Sequence, residues 1–183
     1  MAEIAGLKLI VPTSVTNSGG TSSVSATGKV TFTSVTTSLS VNGVFSATHD
    51  TYLIVMRNTN AIGNGAWTIK LRASGSDATN NYTTQYIFAN STSVTGARAT
   101  SQAAGRAGTS RTESGGTHIY MYGPNLAQPT AWRTVDVSSG SGTPIIFDFA
   151  STHSLSSAYD GFSLFPDSSY ASTGALTVYG LSQ

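Results

Sequence analysis

Short runs in which apolar side chains take every second position recur along this chain, and that spacing limits its fold more than any other feature. In Trp67-Thr68-Ile69-Lys70-Leu71-Arg72, an extended backbone puts Trp67, Ile69 and Leu71 on one face and Thr68, Lys70 and Arg72 on the other. Val30 and Phe32, then Ile145, Phe147 and Phe149, then Phe162 and Leu164, then Leu176 and Val178 repeat the pattern. Ser/Gly/Asn clusters separate the runs, as in a sandwich or barrel. β-Branched residues dominate, and few windows hold strong helix formers at helical spacing. Roughly ten strands are expected from the segments 6–12, 28–34, 37–45, 51–58, 66–73, 83–89, 117–123, 130–137, 144–150, 160–166 and 174–181, some split or lost at sheet edges. Tyr52-Leu53-Ile54-Val55-Met56 is apolar on both faces, which implies a central strand whose outer face is covered, by a loop of the same chain or by a neighbouring subunit.

Two stretches lack this pattern. Residues 13–27 read as a flexible Ser/Thr/Gly-rich connection. Residues 91–116 read as a long low-complexity loop or arm, carrying Arg98, Arg106 and Arg111 against one acid, Glu113. Such a connection is uncommon inside a compact domain. It is either a solvated flexible loop or an arm that orders on a polar or acidic neighbour.

The 183 residues suit one domain over 1–183, and 39% apolar content supplies a core. Charged residues make up only 9%, while Ser and Thr reach roughly 30%, so hydroxyls and amides carry solubility. A net charge of +1 gives little counterion release, which argues against nucleic acid as a partner. The absence of Cys excludes disulfides, thiol catalysis and thiolate zinc sites. No run approaches the length of a membrane-spanning helix, and the segment from Met1 to Pro12 is too interrupted for a signal peptide, so synthesis in a cytoplasm is expected, with any place outside the cell reached by another route.

A catalytic reading needs a nucleophile, a base and an orienting group. His49, His118 and His153 stand alone in the sequence. His49-Asp50 reads as a strand start and His153 as part of a Ser-rich turn, while His118 alternates with Tyr120 and Tyr122 on a polar-aromatic strand face. Asp77 and Asp167 sit in turn-like Gly75-Ser76-Asp77 and Pro166-Asp167-Ser168. No phosphate loop, dinucleotide fingerprint or nucleophile elbow occurs. No enzyme activity, cofactor or metal site is expected. Aromatics are the other candidates for binding: Trp67 reads as a core anchor, and Trp132 either as a second anchor or, with Arg133, Tyr120, Tyr122 and Tyr170, as part of a glycan-stacking surface.

Val41-Asn42-Gly43-Val44-Phe45-Ser46 leading to Tyr52-Leu53-Ile54-Val55, the middle piece Ile69-Lys70-Leu71-Arg72, and Tyr159-Asp160-Gly161-Phe162 running on to Gly174-Ala175-Leu176-Thr177-Val178-Tyr179-Gly180 together resemble small β-sandwich virion proteins of tailed bacteriophages. The resemblance implies a jelly-roll-like antiparallel β-sandwich with almost no helix. It implies a non-enzymatic place on the virion surface, foremost as a capsid decoration or cement protein. The partners so implied are further copies of the chain, as a homotrimer, and virion proteins such as the major capsid protein, with no membrane or nucleic acid. Arg98, Arg106 and Arg111 are then the expected docking residues. The alternative is a tail-fibre or tail-tip domain that binds host glycans through Trp132, Arg133, Tyr120 and Tyr122.

Overall fold

The computed structural model describes residues 6–60, 65–140, 142–166 and 171–181, so Tyr170 and the Asp167–Ser168 turn lie outside the described residues. Its elements are all strands: β1 (Leu7–Ile10), β2 (Ser14–Ser18), β3 (Thr21–Val24), β4 (Val30–Val35), β5 (Ser38–Asn42), β6 (Thr51–Asn60), β7 (Gly65–Ala73), β8 (Ser76–Asp77), β9 (Tyr82–Asn90), β10 (Ser93–Gln102), β11 (Gly105–Ser110), β12 (Ser114–Tyr122), β13 (Thr130–Gly140), β14 (Thr143–His153), β15 (Gly161–Pro166) and β16 (Ser172–Leu181). No helix among the described residues is long and apolar enough to cross a membrane.

The strands form two antiparallel sheets. The large one runs β10-β9-β14-β13-β12-β6-β16-β4-β3, with β1 beside the second half of β16, and the small one runs β11-β7-β15-β5-β2, with β8 on β7. Within them β4-β16-β6-β12 faces β5-β15-β7-β11, the interleaved order of an eight-stranded jelly roll. The expected sandwich is therefore borne out. Two hairpins are inserted into it: β9–β10 before β11, and β13–β14 between β12 and β15. Both add to the β12 side of the large sheet and extend it past the roll.

Alternation builds the core as the sequence implies. Trp67, Ile69 and Leu71 of the small sheet are fully buried and face Phe32, Ile54, Met56, Ile119 and Val178 of the large one. Phe32 meets Trp67 edge-on, with ring centroids 6.1 Å apart. Each such side chain removed from water contributes about 1.5–3 kcal/mol. Tyr52 and Tyr82 are also buried, and each hydroxyl is satisfied by backbone: Tyr52 Oη accepts from Ser46 N at 2.8 Å and donates to Ser46 O, while Tyr82 Oη accepts from Leu71 N at 2.9 Å. Leu53, on the outer face of β6, is 9% exposed, with Tyr120 and Tyr179 directly opposite it on the flanking strands.

Three expectations are corrected. Residues 13–27 hold β2 and β3, and residues 91–116 hold β10, β11 and the start of β12, so neither stretch is a free connection. These strands lack apolar alternation because they lie at sheet edges or pair through hydroxyls: Thr21 with Thr33 and Ser23 with Thr31, each at 2.7 Å. His153 does not stand in a turn. It ends β14, fully buried, with Nδ1 3.1 Å from Tyr159 Oη and its ring against Tyr82.

Candidate functional site

The inserted hairpins leave the large sheet with a wing, β13-β14-β9-β10, that the small sheet covers mainly along β11. Strand β13 faces the opposite way from its hydropathy. Trp132, Thr134, Asp136 and Ser138 point inward and are buried, while Val135 and Val137 point to solvent, each 48% exposed. Two features hold this phase. The Trp132 indole is 2% exposed, and its Nε1 donates to Arg106 O at 2.9 Å. Asp136 is buried at the centre of a hydroxyl cage: Thr109 Oγ1 and Thr117 Oγ1 donate to its two oxygens, and Thr109 Oγ1 lies 2.8 Å from Ser138 Oγ. Burial pushes the Asp136 carboxyl above the usual range, although the hydroxyls and Arg111 favour its charge.

The consequence appears on the outer face. Register aligns Val137 with Ile146, Ile146 with Ala89 and Ala89 with Val94, and aligns Val135 with Asp148 and Asp148 with Ile87. Val94, Ile146 and Ile87 are 73%, 59% and 53% exposed. With the two valines they line a shallow groove of about 620 Å³. Isolated exposed apolar residues are ordinary, but a contiguous stripe over four strands is the kind of patch that partners cover. Arg133 borders the groove, its Nε donating to Asp148 Oδ1 at 2.9 Å, and this guanidinium holds the Asp148 carboxyl below its usual range.

The residues singled out from sequence are divided among different surfaces. Arg98 is exposed on edge strand β10 opposite Gln85, on the outer face. Arg106 on β11 and Arg111 just beyond it line a hollow on the inner side of the wing. The expected three-arginine arm is therefore not one surface, because strand alternation sends Arg98 to the far side of the sheet. Of the glycan set, Tyr120, Tyr122 and Arg133 share the outer face, with Tyr120 directly opposite Arg133. Trp132 is removed from that set, since its indole is packed inward against Tyr82. His118 is exposed beside Tyr120, as its alternation implies, whereas His49 is buried edge-on to Tyr52. Among the described residues no three His, Cys, Asp or Glu side chains gather as a metal site.

Sequence reasoning missed Ile87, Val94, Val135, Val137 and Ile146. One signal for them was available: Val135 and Val137 alternate out of phase with Trp132 inside one strand, so either the tryptophan or the valines had to face solvent. No protein-family model matches the sequence, and no curated protein matches it.

Proposed function

We propose that this chain is a non-enzymatic structural protein of a phage surface, a decoration or cement protein seated on the capsid shell through the outer face of its sheet wing. The observation that carries this reading is the reversed strand β13, which buries Thr134, Asp136 and Ser138 and exposes Val135 and Val137 beside Ile146, Ile87 and Val94. Exposing five large aliphatic side chains on adjacent strands leaves favourable burial unrealised until a partner covers them. The sparse charge of the chain supports the same reading, because a hydroxyl-rich rim is desolvated on contact at less cost than a charged one. On a shell of many copies, modest single contacts would sum to firm attachment. The resemblance to small virion sandwiches points the same way. The receptor-binding alternative retains Tyr122 and Arg133, which border a hollow of about 440 Å³ together with Arg98, and it loses Trp132.

Immunogold electron microscopy of intact particles tests the placement: label over the head is expected, label confined to the tail would favour receptor binding, and unlabelled particles would overturn both. The docking face is tested by Val135→Asp combined with Ile146→Asp. Losing burial of even one such side chain, about 1.5–3 kcal/mol, should lower affinity for particles at least tenfold while the circular dichroism spectrum stays that of the parent.

A further inference from the structure

Beneath the wing, on the side facing the small sheet, lies an aromatic cluster outside the main core. Phe88 and Phe147 are directly opposite each other on β9 and β14, with ring centroids 5.3 Å apart and planes 24° apart. Phe147 and Phe149 follow along β14 at 5.4 Å and 5°, and Tyr86 lies 5.7 Å from Phe149. Tyr86, Phe88 and Phe147 are half-buried and Phe149 is buried, yet none of the four joins the contiguous core of the roll. They floor a hollow of about 270 Å³ that is also lined by Gly65 and Ala66 of β7, by Thr109 of β11, and by Arg106 and Arg111. The Nε of Arg111 is buried and has no hydrogen-bond partner.

A second hollow of about 180 Å³ adjoins the first and shares Tyr86 and Arg106 with it. It is lined by Thr68 and Thr84 and by Ala97, Arg98, Ala99 and Gln102 of β10; Thr84 Oγ1 lies 2.8 Å from Ser151 Oγ, and Gln102 Nε2 donates to Thr100 O at 2.7 Å. The two hollows thus form a groove with an aromatic floor and Arg111 at one end, Arg106 between them, and hydroxyl and amide groups at the other.

We propose that this groove binds a short acidic saccharide, with the carboxylate of one sugar ring held by Arg111 and Arg106 over the Phe88–Phe147 floor and the next ring among Thr68, Thr84 and Gln102. The first hollow is just below the roughly 300–1,000 Å³ of drug-sized ligand sites, which suits a single ring. Guanidinium is the side chain whose planar fork matches a carboxylate. Hydroxyl and amide groups supply the exchangeable donors and acceptors that a ring of hydroxyls needs. A single-stranded nucleic acid fits less well. Its phosphates require a cationic track, and the chain has a net charge of only +1. The site lies on the opposite side of the wing from the docking face, so the two proposals are independent.

The test is heteronuclear NMR titration of the full chain with trigalacturonate, with maltotriose, benzoate and oligothymidylate as comparison probes. Trigalacturonate should bind, moving the amide signals of Tyr86, Phe88 and Phe147, and Arg111→Gln should weaken it at least tenfold while Lys29→Gln, which removes an exposed charge outside both surfaces, leaves it unchanged. No shift at these amides at millimolar probe, equal binding of maltotriose, tighter binding of benzoate or oligothymidylate, or full affinity in Arg111→Gln would each overturn the assignment. Should Arg111→Gln fail to fold, the amide map of the parent decides alone.

Discussion

Trp132 fits where it does because position 105 is glycine: a Cβ there would stand 2.1 Å from the indole. One small residue on β11 and one large residue on β13 thereby fix the phase of the whole strand, since a strand that buries Trp132 must also bury Thr134 and Asp136. Sequence left Trp132 open between core and surface because its own alternation partners are polar, and their compensation comes from residues far along the chain, Thr109 and Thr117. His153 was misread for a related reason. Its Ser-rich surroundings resemble a turn, but Phe149, Ser151 and His153 continue one inward face to the end of β14. Burial pushes the His153 pKa below its ordinary value of 6.5. The unfolded chain therefore binds the proton first as pH falls, and stability present above the unfolded pKa is lost progressively below it, by up to about 1.4 kcal/mol per pH unit for one proton. The thermal midpoint of the parent should drop as pH falls below about 6.5, and His153→Gln should flatten that drop. An unchanged acid slope in the variant would show that other groups control it.

At the scale of elements, strands that bury large apolar side chains were legible, and strands built of small or polar residues were invisible even where buried, as β11 is. The segments 66–73, 83–89, 144–150 and 160–166 lie within one to three residues of β7, β9, β14 and β15 at each end, because each carries two or more inward apolar positions. β2, β3, β10 and β11 carry Ser, Thr, Gly and Ala, and what orders them is the backbone ladder, with hydroxyl pairs such as Thr21–Thr33 across it. The short β7–β8 hairpin was read only as a turn. Ser74 and Gly75 both take positive φ, 49° and 79°, the two-residue loop that matches strand twist. Arg72 then reaches Asp77 at 2.6 Å across that hairpin and Ser163 at 2.7 Å on β15. The reclassification of residues 93–102 from loop to strand is directly measurable. β10 is an edge strand bonded only to β9, so its inward-bonded amides should resist hydrogen exchange more than a loop would, yet far less than those of central β6 and β12. Full exchange of the whole segment at the earliest time point would return it to a loop.

For the molecule as a whole, the jelly roll holds most of the core, to which the wing adds Tyr82 and Trp132, and the wing carries the faces proposed for interaction. The roll closes its core between β4-β16-β6-β12 and β5-β15-β7-β11, whereas the wing offers an aliphatic face on one side and the arginine-flanked aromatic groove on the other. This division makes the proposed mode of attachment to a particle separable from charge. If the chain docked through Arg98, Arg106 and Arg111, binding would weaken steeply with salt, because about 1 M salt shortens the screening length to roughly 3 Å. Docking through Val135, Val137, Ile146, Ile87 and Val94 has the opposite signature, since excluded salts such as sulfate strengthen apolar burial. Charge cannot oppose such contact here, with +1 net charge and a pI near 8.0. Co-sedimentation with particles should therefore persist in about 1 M sodium chloride and increase in ammonium sulfate. The Val135→Asp, Ile146→Asp variant should lose binding at every salt concentration. If binding of the parent instead collapses as sodium chloride rises, attachment runs through ion pairs, and the exposed Arg98 on the outer edge becomes the residue to replace.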